Sequence, residues 1–115
     1  MKKIIILLFL IAAPFVSAHA ASFDCSKARS YSEKEICSTP ELSKKDELLS
    51  ALYKKAKTAT QDKQAFSSIQ NALWLSRERC ENTLCLTAWY DSAFAIYEAI
   101  RSKGIPTTIG TQTPK

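Results

Sequence analysis

Glycine and histidine are almost absent from this chain of 115 residues, which contains two glycines, Gly104 and Gly110, and one histidine, His19. Long stretches without glycine favour helices, because glycine weakens or ends a regular helix. His19 lies in a predicted N-terminal leader, so the exported chain has no imidazole. This excludes a Ser/His or Cys/His nucleophile system and a zinc site that combines histidine with cysteine.

A removable leader is predicted over residues 1–20. A pair of lysines gives a positive start, an apolar run covers residues 4–15, and Ala18-His19-Ala20 supplies the small residues that a signal peptidase requires. The apolar run is shorter than the roughly 20 residues that span a bilayer, which favours a cleaved leader over the alternative of an uncleaved anchor. We expect cleavage after Ala20, no stable membrane insertion afterwards, and a location in the periplasm of a Gram-negative cell or outside the cell.

Charge is moderate once the leader is removed. Fourteen basic and eleven acidic residues remain, which leaves a net charge of +3. The basic residues are spread along every segment and form no stripe, so we expect no nucleic-acid partner.

Four cysteines lie in the exported part as two close pairs, Cys25 with Cys37 and Cys80 with Cys85. Cysteines of an exported protein usually form disulfides. Sequential pairing is predicted, although four cysteines allow three connectivities and the sequence leaves the other two open. A four-thiolate zinc site is the alternative, but the C-x11-C and C-x4-C spacings differ from the C-x2-C pairs of zinc ribbons. We therefore expect no metal.

Two helix starts are recognised from their capping residues. Ser30 and Glu33 have capping-box spacing and predict a short helix that reaches Cys37. Thr39 is expected to cap a second helix that has Pro40 at its first position and ends near Thr60. The apolar face of this second helix contains Leu42, Leu49, Leu52, Tyr53 and Ala56.

Two further helical stripes follow. One begins after a connection at Gln61–Asp62 and contains Phe66, Ile69, Leu73 and Cys80. Residues 81–84 predict a tight corner, and a last stripe then runs towards a stop at Lys103–Gly104. This last stripe contains Leu86, Trp89, Tyr90, Ala93, Tyr97 and Ile100.

The predicted fold class is all-α, a small antiparallel helical hairpin or bundle of three to four helices stapled by two local disulfides. Short connections make neighbouring helices antiparallel, and no alternating run suggests a sheet. The helical domain is predicted over residues 21–103. Residues 104–115 are rich in threonine and lack aromatic residues, so a disordered tail is predicted there.

Two groups of residues follow a known order and spacing. The first is Phe23-Asp24-Cys25 with Ser30-x-x-Glu33-Lys34-x-Ile36-Cys37-x-x-Pro40-Glu41-Leu42-x-x-x-Asp46-x-x-Leu49-x-x-x-Tyr53. The second is Gln70-x-x-x-Trp74-Leu75 with Arg77, Arg79 and the second cysteine pair. Over residues 23–103 the chain resembles the LprI-type lysozyme-inhibitor N-terminal domain family. The resemblance implies an exported helical domain with two local disulfides, no cofactor and no catalytic centre.

The function that this resemblance implies is binding of a protein partner. The chain is predicted to be a periplasmic protein that blocks a lysozyme or another peptidoglycan-cleaving enzyme by protein–protein contact. The alternative is a periplasmic interaction, accessory or immunity-like protein linked to secretion or plasmid conjugation, without lysozyme inhibition. A hydrolase is a remote third class, because its acid pair would have to come from carboxylates expected to lie isolated on the surface: Glu33, Asp46, Glu78 and Asp91. We therefore predict that the protein is not an enzyme.

The corner closed by Cys80 and Cys85 is the predicted partner-binding surface. A blocker of a lysozyme needs a rigid projection whose donors or cation meet the carboxylates of the cleft. A disulfide stiffens such a corner and reduces the ordering cost of binding. The candidate residues are Arg77, Arg79, Glu81, Asn82 and Thr83. In the alternative interpretation, both arginines only pair with Glu78, Glu81 or Asp91 on a solvated face.

The aromatic residues of the second half are assigned mainly to the core, including Trp74. Phe94 and Tyr90 are expected to be the most exposed of them. The alternative is a sugar-stacking or partner-docking surface formed by Trp74, Trp89, Tyr90, Phe94 and Tyr97.

Overall fold

Four α-helices and one short 3-10 turn make up the computed structural model, which describes residues 21–105, and no strand occurs within that range. The turn at Cys25–Lys27 is followed by α1 (Tyr31–Ser38), α2 (Pro40–Ala59), α3 (Lys63–Arg77) and α4 (Thr83–Lys103). The all-α prediction is confirmed. The predicted leader, residues 1–20, and residues 106–115 of the predicted tail lie outside the described residues.

The start of α1 is the predicted capping box. The Ser30 hydroxyl accepts a hydrogen bond from the Glu33 amide at 3.1 Å, and the Glu33 carboxylate accepts one from the Ser30 amide at 3.2 Å. The Arg29 amide also donates to this carboxylate at 2.7 Å, and that hydrogen bond lowers the pKa of Glu33 below its ordinary value, against an opposing effect of burial. These bonds satisfy amides that a helix start leaves without a partner.

The start of α2 differs in one detail from the prediction. Pro40 is the first helical residue, as expected, but the Thr39 side chain makes no capping hydrogen bond to the backbone. Its hydroxyl donates to the Glu35 carboxylate at 3.2 Å instead. Because proline already fixes a helical φ, α2 can begin without a side-chain cap.

At the connection between α3 and α4, both helix boundaries differ from the prediction. Helix α3 ends at Arg77 and does not continue to Cys80, whereas α4 already begins at Thr83, so the first turn of α4 includes Leu84. The Asn82 carboxamide caps α4 by accepting from the Cys85 amide at 2.8 Å.

The predicted stop of α4 at Gly104 is confirmed. Gly104 has a φ of 81°, and its amide donates to the Ile100 carbonyl at 2.8 Å. A positive φ at this position favours glycine.

Helices α2 and α4 form the most extensive contact of the fold, and they run parallel. Asp46 lies beside Tyr90, and Tyr53 lies beside Tyr97, so both pairs have the same offset along the two helices. Helix α3 runs antiparallel to both. The predicted antiparallel arrangement of sequence neighbours is therefore correct, but the principal interface joins two helices that are not neighbours in sequence.

The core follows the predicted apolar faces. The buried apolar residues are Ala21, Ile36, Leu42, Leu49, Ala56, Phe66, Cys80, Leu86, Tyr90, Ala93, Tyr97 and Ile100. An aromatic cluster of Tyr53, Phe66 and Tyr97 joins α2, α3 and α4, with ring centroids 5.3 to 5.7 Å apart. Such tilted and edge-on contacts stabilise a core beyond the area that they bury.

Two assignments of aromatic residues are wrong. Trp74, predicted to be core, is 48% exposed, and Tyr90, predicted to be among the most exposed, is fully buried. The phase of α3 explains the first error, because Phe66, Leu73 and Arg77 turn inward and leave Trp74 at the border of the buried face.

None of the described helices combines the length and the apolar character that crossing a bilayer requires.

The two disulfides have the predicted sequential connectivity. Cys25 pairs with Cys37, with Cα atoms 5.8 Å apart, and Cys80 pairs with Cys85, with Cα atoms 5.5 Å apart. All four sulfurs are used, so the four-thiolate zinc alternative is wrong. The first bridge ties the N-terminal turn to α1, and the second closes the corner before α4.

The two bridges should differ in their contribution to stability. Chain-entropy estimates give about 3 kcal/mol for the longer Cys25–Cys37 loop and about 2 kcal/mol for the Cys80–Cys85 loop. We expect paired Cys→Ala replacements to lower the free energy of unfolding in urea by these amounts, with the first pair costing more. Equal stability of both double variants and the parent would contradict the expectation.

Candidate partner-binding groove

Two of the predicted corner residues have structural roles within the fold. Asn82 is the cap of α4, and the Thr83 hydroxyl donates to the Glu35 carboxylate at 2.6 Å, which ties the corner to α1. Two others, Arg79 and Glu81, are exposed. Leu84, which sequence reasoning missed, is the most exposed large apolar residue of the corner, at 79%.

The fifth predicted corner residue, Arg77, is buried and does not lie at the surface. Its guanidinium forms a two-nitrogen contact with the Glu78 carboxylate, at 2.9 and 3.1 Å. It also lies over the rings of Phe23 and Trp89, about 6 Å from each centroid. For Arg77 the alternative interpretation, pairing with Glu78, is therefore correct, but the pair is largely buried and not on a solvated face.

A groove lies beside Arg77, between α2 and α3, with residues of α4 at its base. Its volume is about 240 Å³, and it is open to solvent along one side. Tyr53 and Gln70 face each other across it, joined by a hydrogen bond of 3.2 Å. Its apolar and aromatic lining consists of Leu49, Tyr53, Leu73, Trp74, Trp89 and Tyr97. Its polar end consists of Ser22, Asp46 and Arg77.

Trp89 is held in a fixed position in the lining of this groove. Its indole Nε1 donates to the Leu73 carbonyl at 2.9 Å and to the Ser76 hydroxyl at 3.0 Å, so α4 is fastened to the last turns of α3. Trp74 and Leu75, which follow on α3, remain about half exposed. Of these two, Trp74 lines the aromatic groove, and its indole remains open to solvent.

Asp46 is the buried carboxylate at the end of the groove, with 6% of its surface exposed. One oxygen accepts from the Tyr90 hydroxyl at 2.6 Å, and the other accepts from the Ser22 amide at 2.8 Å and from the Ser22 hydroxyl at 2.5 Å. The expectation that this carboxylate lies isolated on the surface is wrong. A sequence signal existed, because Asp46 follows Leu42 by four residues and precedes Leu49 by three, which places it on the apolar face of α2.

The two buried tyrosines near the groove resist ionisation. Burial raises the pKa of Tyr90 far above its ordinary value, and the adjacent Asp46 carboxylate adds to the effect. Burial also raises the pKa of Tyr97 to about 12, with a further contribution from Tyr53. Tyr90 therefore acts as a permanent donor to Asp46 over the physiological pH range.

Comparison with known proteins identifies a family. The family model described as Calcitonin / CGRP / IAPP family matches residues 1–115, which is the whole chain. On this match the chain belongs to the Calcitonin / CGRP / IAPP family. No curated protein and no solved structure matches the chain.

The family consists of secreted peptide hormones that signal by binding receptors, which are protein partners. Secretion agrees with the export predicted from the leader, whereas a periplasmic location in a Gram-negative cell finds no support. The match overturns the predicted membership in the LprI-type lysozyme-inhibitor N-terminal domain family. The two functions derived from that resemblance, inhibition of a peptidoglycan-cleaving enzyme and an accessory or immunity-like role in secretion or conjugation, are therefore wrong.

The residues on which the resemblance was based have general structural roles, which explains why they led to the wrong family. Ser30 and Glu33 cap α1, Pro40 begins α2, and Leu42 and Leu49 fill the core. Caps, apolar spacing and local disulfides are common to many small helical exported proteins, so such a pattern predicts a fold more securely than an activity.

The raised pKa values predict a loss of stability at alkaline pH. A tyrosine in an unfolded chain ionises near pH 10, so the stability that Tyr90 and Tyr97 contribute is fully present below about pH 10 and is lost as the pH rises through the folded-state values. We expect the free energy of unfolding to fall by on the order of 2 kcal/mol between pH 9 and pH 11. Urea unfolding curves at successive pH values measure it.

Single Tyr→Phe variants show which tyrosine causes the loss of stability at alkaline pH. Tyr90→Phe should remove about half of the alkaline loss, and at neutral pH it should cost about 1–3 kcal/mol because Asp46 loses a donor. Tyr31→Phe, at an exposed residue, should change stability by less than about 0.5 kcal/mol. An alkaline loss of the same size in Tyr90→Phe as in the parent would contradict the assignment.

Proposed function

We propose that this protein acts outside the cell as a signalling ligand that is bound by a receptor protein through the groove between α2 and α3. The observation that carries the proposal is the indole of Trp74, which remains 48% exposed at the edge of an aromatic groove. Tryptophan is among the residues that most often supply the binding energy of a protein interface. The family match supports the role and the class of partner.

The groove has the composition of a binding surface. Tyr53 and Trp89 give it a rigid aromatic lining, and Gln70 and Arg77 add polar groups beside them. Because Trp89 is fixed by two hydrogen bonds, little side-chain freedom is lost when a partner fills the groove.

The folded chain as a whole is the proposed ligand. The lining of the groove comes from α2, α3 and α4 together, so a peptide that contained one of these helices would not form it. The exposed Arg79 and Glu81 of the disulfide-closed corner are proposed as a second, peripheral contact with the same receptor.

A catalytic role is not part of the proposal. Among the described residues that line the groove, Asp46 is the one carboxylate, and both of its oxygens already accept hydrogen bonds from Ser22 and Tyr90. Hydrolysis of a glycosidic bond by the common mechanism uses two carboxylates that flank the bond. We therefore propose a binding protein that is not an enzyme.

The proposal is tested by measuring saturable binding of the protein to intact cells of the organism that produces it. Fluorescently labelled protein is titrated onto the cells, and onto cells pretreated with protease to remove surface proteins. We expect saturable binding that protease abolishes, and Trp74→Ala should weaken it by about tenfold or more, as expected for an interface hot spot. Leu48→Ala is the matched control, because Leu48 is 54% exposed on α2 and is not part of the groove lining.

Three results would contradict the proposal. The first is an absence of saturable binding, and the second is equal affinity of Trp74→Ala and Leu48→Ala. The third is full affinity of a peptide that comprises only residues 80–115, because such a peptide lacks α2 and α3. Circular dichroism of each variant shows whether the helical fold is retained.

A further inference from the structure

We propose that removal of the leader after Ala20 creates an α-ammonium group at Ala21 that forms an ion pair with the buried Asp46 and fastens the N-terminal segment to α2. The reaction is hydrolysis by a peptidase: water cleaves the Ala20–Ala21 peptide bond, the carboxylate leaves with the leader, and the amine of Ala21 takes up a proton. The site comprises Ala21, Ser22, Asp46 and Tyr90, which are all described residues.

The first observation is that the residues after the predicted cleavage position already lie against the fold. Ala21 is 6% exposed and belongs to the core, and Ser22 donates to Asp46 through both its amide and its hydroxyl. These contacts join positions that are 24 residues apart in sequence. A segment that served only to carry a leader would have no reason to be buried.

The second observation is the charge balance around Asp46. Its hydrogen-bond donors, Ser22 and Tyr90, are neutral groups. No ion pair of the described residues includes it. Arg77, at the same end of the groove, makes its ion pair with Glu78, and the same guanidinium also acts to lower the pKa of the adjacent Tyr90, against the larger effect of burial, so its charge is shared between these groups. A buried carboxylate is costly unless a cation compensates it, so this site favours an additional positive charge.

The new ammonium group would lie close enough to supply that charge. By standard backbone bond lengths, the Ala21 nitrogen lies within about 4 Å of the Ser22 nitrogen, which donates to Asp46 at 2.8 Å. Before cleavage the same nitrogen is a neutral amide, so the chain gains the ion pair only after processing. The leader and the folded domain are thereby linked: cleavage stabilises the exported form.

The cleavage position is tested first. Intact mass and N-terminal sequencing of protein exported with its own leader should show a chain that begins at Ala21. A different first residue would overturn the proposal.

The ion pair is tested by a double-mutant cycle. One variant carries a single glycine before Ala21, which moves the ammonium group away by one residue, and the second carries Asp46→Asn. We expect the added glycine to raise the unfolding equilibrium constant of the parent by about tenfold or more, because a hydrogen bond to a charged group is lost. In the Asp46→Asn background the same extension should change it by less than about twofold.

An equal effect of the glycine in both backgrounds, or no effect in either, would overturn the ion pair. If Asp46→Asn does not fold, chains with a free and with an acetylated Ala21 amine are compared by hydrogen exchange of the Ser22 amide. We then expect about tenfold faster exchange after acetylation, since the amide loses its anchored neighbour. Equal exchange rates would overturn the proposal. These outcomes do not depend on whether the groove binds a receptor.

Discussion

The parallel contact between α2 and α4 is the constraint on which the rest of the described structure depends. Asp46 and Tyr90 lie within this contact, joined by a hydrogen bond of 2.6 Å that has little access to water. A polar pair inside an apolar seam fixes the register of two helices, because a shift along either helix would leave a buried carboxylate without its donor. The N-terminal segment then attaches to the same carboxylate through Ser22.

Helix α3 covers only part of this contact between α2 and α4. Phe66 packs between Tyr53 and Tyr97, and Trp89 binds the last turns of α3, while an open groove remains between α2 and α3. The groove thus arises because α2 and α4 pack closely against each other, whereas α3 packs against them over a smaller area. It leaves Trp74 half exposed, in a position from which a partner protein could complete the burial.

Local signals were sufficient to predict the helices, and tertiary contacts decided the candidate site. Ser30, Pro40 and Gly104 act on their own helix ends, so their roles follow from sequence neighbours alone. The burial of Asp46 and the exposure of Trp74 depend on which helices pack together. Helices α2 and α4 are in direct contact although the whole of α3 separates them in sequence. Family and function were mispredicted, because the same caps, stripes and bridges are compatible with many activities.

Native-state hydrogen exchange measures the central claim most directly, since it gives an opening free energy for each helix separately. The amides of α2 and α4 that face each other around Asp46 and Tyr90 should be the most protected and should exchange only through global unfolding. The amides in the middle of α3 should exchange at a lower free energy. Protection of α3 equal to or greater than that of the α2–α4 seam would contradict the account.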